Sequence, residues 1–124
     1  MAYVWGVNDI LRAYQSTSGQ FSPSSQGTIT AGYPGGMLAV SSAGGQSGTS
    51  ILWAVTPDAI VHAFDATNVA TELWNSSQNS ARDSLGTFAK FGQPIIANGK
   101  VFVPTFSNAV VAYGVLNPPG GRSK

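Results

Sequence analysis

The chain has 124 residues, no cysteine and a formal charge of +1 from six basic and five acidic side chains. That length holds one ordinary domain, and the missing cysteines exclude disulfides, thiolate nucleophiles and Cys-ligated metal sites. The near-neutral balance, −1 over residues 1–121, gives no electrostatic pull toward nucleic acid or an acidic membrane.

In chain order, residues 1–10 (MAYVWGVNDI) have no basic leader, and Asn8 and Asp9 interrupt the run before an apolar core of signal length accumulates. No apolar run approaches the roughly 18 residues of a membrane span. Residues 2–15 read as two apolar strands joined by a turn at Asn8-Asp9, a β-hairpin. Residues 16–36, rich in Ser, Gly and Gln, are expected to be irregular, and MLAV (37–40) is a short strand between glycine-rich segments. A second hairpin spans 51–65 with its turn at Pro57-Asp58, and residues 72–75 form a short outer strand. Residues 78–92 are expected to be irregular, because Gly86 interrupts their one helical stretch. PIIA (94–97) then leads through Asn98-Gly99, a strong hairpin signal, into a third hairpin over 101–115 turning at Ser107-Asn108. The tail NPPGGRSK (117–124) has the composition of disordered chain.

The three hairpins are copies of one unit. Their aromatic anchors Tyr14, Phe64 and Tyr113, each preceded by alanine, stand 50 and 49 residues apart. Ala13, Ala63 and Ala112 share one face of their strands with Leu11, Val61 and Val110, while the aromatic anchors occupy the other. Both faces are largely apolar, as in a strand covered on two sides. A 50-residue unit of about four short strands predicts a β-propeller blade. The fold expectation is therefore all-β, a partial β-propeller of about two and a half four-stranded antiparallel blades over 1–116, with repeats at about 2–50, 51–100 and 101–116.

VHAFDATNVATELW followed by FGQPIIANGKVFVPTFSNAVVAYG resembles the pyrroloquinoline-quinone-like repeats of quinoprotein-like, eight-bladed bacterial β-propellers, most closely their C-terminal blades, over about residues 35–116. That family docks neighbouring blades through Ala-x-Asp, a Thr-Gly turn and a following Trp. The resemblance implies that Ala63, Asp65 and Trp74 fasten blades: Asp65 accepts hydrogen bonds from turn amides, while the Trp74 ring packs on the next blade and its N–H meets a carbonyl. Asn68 and Val69 stand where Thr-Gly is usual, and Gln15 takes the Asp position in the first repeat. The resemblance also implies a bacterial periplasmic or secreted protein, although the chain shows no export signal.

Closed propellers need at least about four blades, so the expected partners are missing blades of a longer chain or copies of this one. The ending after the third hairpin points to absent N-terminal blades as the preferred case.

Candidate chemistry is sparse. His62, the single histidine, has no nucleophile motif or metal partners beside it and reads as structural. Asp9, Asp58 and Asn108 read as turn caps rather than a calcium ring, since single oxygens from separate units do not make a dense coordination loop. Trp5 and Trp53 fall in corresponding strands at what read as equivalent positions, which indicates core packing, and the sequon Asn75-Ser76-Ser77 matters only in a eukaryotic secretory pathway. Arg82, Asp83 and Lys90 form the one charge cluster outside the tail, a solvated loop or a ligand-contacting one.

Neither pyrroloquinoline quinone nor calcium is expected. The chain lacks the cysteine pair, the cluster of cationic donors and the calcium ligand set that binding the quinone would call for. The expected function is a non-catalytic scaffold or binding module. The alternatives are the C-terminal part of a quinone-dependent dehydrogenase and a glycan- or protein-binding propeller.

Overall fold

The computed structural model describes residues 1–116 and is all-β, three antiparallel sheets of three, four and three strands. The tail expected to be disordered, 117–124, lies outside the described residues. The first sheet has the order β1 (Ala2–Trp5), β2 (Asp9–Thr17), β3 (Gln20–Ala31). The second has β4 (Met37–Ser41), β5 (Ile51–Val55), β6 (Val61–Asp65), β7 (Glu72–Asn75). In the third, β9 (Lys100–Pro104) is flanked by β8 (Ile95–Ala97) and β10 (Val110–Gly114).

Local turn chemistry sets the hairpins. Asn98 and Gly99 both take positive φ, 49° and 69°, as a two-residue turn matching the twist of its strands requires. Asn8 and Asn108 turn their hairpins at φ 54° and 55°, in the left-handed region that Asn tolerates.

Two stretches differ from expectation. Residues 16–36 are not irregular: Ser18 and Gly19, at φ 52° and 79°, make a tight hairpin from β2 into the long strand β3. β3 pairs on one side with β2 and exposes most of its length, so it carries Ser, Gln and Thr and can hold Pro23. Residues 78–92 also contain helix. A 3₁₀ turn (Ser76–Asn79) runs into one turn of α-helix, α1 (Ser80–Asp83), which ends before Gly86. Asn75 caps the 3₁₀ turn, its side chain accepting from the Ser77 amide at 3.1 Å and the Ser77 hydroxyl at 2.6 Å.

Register makes the three units superimposable. Tyr3 lies opposite Ala13, Trp53 opposite Ala63 and Phe102 opposite Ala112, one aromatic–alanine pair per sheet on the same face. Trp5 and Trp53 are therefore not equivalent. Trp5 lies opposite Leu11, where the second sheet has Val55 opposite Val61, so the two indoles are offset by two residues along the strand.

The sheets stack in one sense, forming two cores. In the first, Trp5, Leu11, Ala13 and Ala31 of the first sheet meet Leu52, Ala54 and Phe64 of the second, with Ala66 and Val69 from the turn after β6. In the second core, Val55 and Val61 meet Val101 and Val103, joined by Leu85. β6 is thus covered on both sides, and Val61, His62, Ala63 and Phe64 are all buried. Gly35 and Gly36 bring the start of β4 against β1. A Cβ on Gly35, at φ 94°, would collide with the Trp5 carbonyl, and one on Gly36 would lie 2.8 Å from the indole.

Leu52 is fully buried in the first core, so Leu52→Ala is expected to cost about 3 kcal/mol, whereas Val40→Ala on an exposed position changes stability by less than about 0.5 kcal/mol. Urea unfolding of both variants checks this, and equal midpoints would contradict the packing.

Candidate functional site

A concavity lies where the second and third sheets diverge, a cleft of about 780 Å³. Its first wall comes from a row across the second sheet, Ala39, Trp53, Ala63, Trp74, in register through β4, β5, β6 and β7. Large indoles on either side of a small alanine leave space between them. Trp53 is fixed by donating Nε1–H to Ser41 Oγ at 2.9 Å. Facing it are Ile96, Val101, Val111 and Tyr113 of the third sheet. Trp74 and Tyr113 meet edge to face, centroids 5.7 Å apart at 60°, a favoured aromatic geometry.

The rim is polar. α1 contributes Arg82 and Asp83, and the β8–β9 hairpin contributes Lys100. Arg82 holds Asp83 with two parallel bonds, Nε to Oδ1 at 2.5 Å and Nη2 to Oδ2 at 2.6 Å. The hydrogen bonds from Arg82 keep the Asp83 carboxyl below its ordinary range. Tyr113 Oη donates to the Asp83 carbonyl at 2.9 Å, tying α1 to the third sheet. Burial first, and the Asp83 charge second, push the Tyr113 phenol up to about 12.

Of the residues singled out from sequence, Trp74, Arg82 and Asp83 converge on this cleft, and Ala63 lies beside Trp74 in the row. Lys90 does not join them; its ammonium sits 5.2 Å over the Tyr33 ring. Asp83 is not a solvated surface group either, being 9% exposed. Trp74 packs on the third sheet through Tyr113, but among the described residues its N–H donates to no carbonyl. Asp65 ends β6 and is not among the residues that line the cleft. Its Oδ1 accepts from the Thr67 amide at 2.8 Å and the Thr67 hydroxyl at 2.7 Å, bonds that lower its pKa and close the turn to Thr71.

Sequence reasoning missed the partners of His62. Its ring is 3% exposed, with Nδ1 2.6 Å from Glu72 Oε1 and Nε2 3.0 Å from Thr56 Oγ1. Thr56 in turn lies 2.5 Å from Asp58 Oδ1. The ring stacks on Phe64 and tilts against Trp5. A hydroxyl, an imidazole and a carboxylate in sequence resemble a nucleophile relay, but Thr56 is only 2% exposed where, with Asp58 and residues 29–32, it borders a second cavity of about 370 Å³. The set instead links the end of β5, β6 and β7 across the first core. The bulge between Ala63 and Phe64 sets this up by shifting Glu72 toward the imidazole.

Among the described residues, no three His, Cys, Asp or Glu side chains gather as metal ligands, and no helix is long and apolar enough to cross a membrane. Compared with known proteins, the chain matches no family model, no curated protein and no solved structure.

His62→Ala strands the Thr56 and Glu72 partners and leaves a void, so it is expected to lower stability by about 2–4 kcal/mol; a loss under about 1 kcal/mol in urea unfolding would contradict the linking role. The Tyr113 phenol is raised above the unfolded value, so the stabilisation it reports is complete below about pH 10 and is lost as pH rises through about 12. Ultraviolet titration of wild type against Tyr113→Phe should show the variant missing the latest phenolate step.

Proposed function

We propose that the chain is a non-catalytic segment of a β-propeller that serves as a scaffold or binding module, its end sheets covered by further sheets of the same kind. The carrying observation is the common sense of stacking. The face of the second sheet bearing Leu52, Ala54, His62 and Phe64 is buried against the first sheet, and the corresponding face of the third, bearing Val101, Val103, Val111 and Tyr113, turns toward the second. In the first sheet the same positions are Ala2, Val4, Arg12 and Tyr14, and Val4 is 55% exposed.

The other end is the complement. Trp53, Val55, Val61 and Ala63 turn toward the third sheet, while their counterparts Phe102, Pro104, Val110 and Ala112 face outward, Val110 65% exposed. One uncovered face is thus of the kind that receives and the other of the kind that is received, a heterologous pair. Blades of a longer chain or copies of this one both satisfy it, and the low charge content, 9%, fits faces meant for cover. β1 and β10 are also open edges, each paired on one side only.

The resemblance of VHAFDATNVATELW to blade-fastening repeats agrees with this reading. Catalysis is not part of it: the one nucleophile-like set joins three strands, with Thr56 and His62 only 2% and 3% exposed.

The isolated chain is therefore expected to self-associate with rising concentration in sedimentation velocity, and Ala112→Arg on the outward face to return it toward monomer. A wild-type chain that stays monomeric at high concentration would contradict the proposal.

A further inference from the structure

Three sheets of one plan meet at two junctions inside the chain, and those junctions define what a further one requires. With the three aromatic anchors taken as equivalent, Leu11, Val61 and Val110 hold one position, and Val4, Ala54 and Val103 hold another. Leu11 of the first sheet is buried in the same core as Ala54 of the second, and Val61 of the second in the same core as Val103 of the third, all four at 0% exposure. The next pair in the series is Val110 of a third sheet with Val4 of a first sheet, and these two stand 65% and 55% exposed.

The first sheet can take such cover without burying a bare charge. Arg12 occupies the position of His62 and, like it, takes its partners from within its own unit: Nη2 donates to Asp9 Oδ1 at 2.8 Å, Nε to Asp9 Oδ2 at 3.2 Å and Nη1 to Gln26 Oε1 at 3.3 Å. The stack is also a fan. Between sheets the backbones come closest from β1 to β4 and from β4 to β8, and the Gly36 amide fixes the first approach by donating to the Trp5 carbonyl at 3.1 Å. Away from that line the second and third sheets part around the cleft, between Trp74 of β7 and Tyr113 of β10. Sheets that turn in one sense about a line of closely set strands return on themselves after enough repeats.

We infer that the third sheet of one chain packs on the first sheet of a second copy, and that two copies close head to tail into a ring of six sheets. This rests on the scaffold reading above and fixes its partner as this same chain. The number follows from integers. Propellers close at about four to eight sheets, each copy brings the three described sheets, and six is the one multiple of three in that range. An eight-sheet ring of the kind the resemblance implies cannot be assembled from whole copies of a three-sheet chain. One heterologous contact, made twice about a twofold axis, covers both open faces of each copy and ends growth, whereas a contact whose rotation does not close gives an open filament. Each junction sets Phe102, Pro104, Val110 and Ala112 of one copy against Ala2, Val4, Arg12 and Tyr14 of the other, the same positions that meet in the two cores.

Thiol cross-linking tests it, since the chain has no cysteine of its own. Val4→Cys and Val110→Cys are substitutions at exposed positions, and a bismaleimide spanning about 10 Å, the spacing of packed sheets, can join them. The two variants refolded together are expected to give a cross-linked dimer, and neither alone should give one. The doubly substituted chain should convert to a dimer and stop there. Sedimentation of the wild-type chain should reach twice the monomer mass and hold it as concentration rises further. A ladder of trimers and larger species would overturn the ring. So would a dimer cross-linked by either single variant alone, which would set the same face on both sides of the contact. In both of those cases self-association persists and the scaffold reading survives, whereas a chain that stays monomeric at high concentration contradicts that reading along with the ring.

Discussion

Burial of the second sheet on both faces is the constraint on which the rest of the structure depends. A strand covered from two sides cannot alternate apolar and polar residues; it must be apolar throughout or satisfy its polar groups internally. β6 does both, with Val61, Ala63 and Phe64 supplying apolar surface and His62 taking its partners from Thr56 and Glu72. From this follow the two separate cores, the small alanines where backbones approach, and the aromatic that faces each alanine across the strand pair. The outer sheets repeat the pattern with one face covered, which is why their outward positions keep core-type residues that water still reaches.

Much of this architecture is legible in the sequence because turn chemistry is local. Asn98-Gly99, Asn8 and Asn108 announce their hairpins, and the even spacing of Tyr14, Phe64 and Tyr113 announces three copies. What escapes has a physical reason in each case. β3 is a polar edge strand, and strand propensity carries little signal where a residue packs on one side only; the Ser18-Gly19 turn was its one readable sign. The helical turn at Ser80–Asp83 is too short to show a period. The Glu72–His62 contact depends on a bulge, and a shift of register is invisible until the strands are paired. The equivalence of Trp5 with Trp53 fails for the same reason, since similar spacing in the chain does not fix which residues lie opposite.

The candidate site was half visible. Trp74 and the Arg82–Asp83 pair could be named from sequence, and they do meet at one cleft. That Lys90 turns instead to Tyr33 is decided by the path of the loop from Gly86 to Gly92, which carries no periodic signal. The cleft itself could not be read from the residues, because it arises from a difference between two otherwise equivalent interfaces: a turn seated in one and, among the described residues, none in the other. Its electrostatics are modest. Arg82 and Asp83 neutralise each other, and exposed pairs such as Asp9–Arg12 contribute little to stability. Shape and apolar surface, rather than charge, therefore dominate the cleft.

Amide hydrogen exchange resolved by residue measures the central claim most directly, since protection follows the cover on each strand. The account predicts the slowest exchange in β5 and β6, which lie between both cores, and markedly faster exchange at the open edges of β1 and β10. Protection equal across all three sheets, or greatest in the first or third, would contradict it.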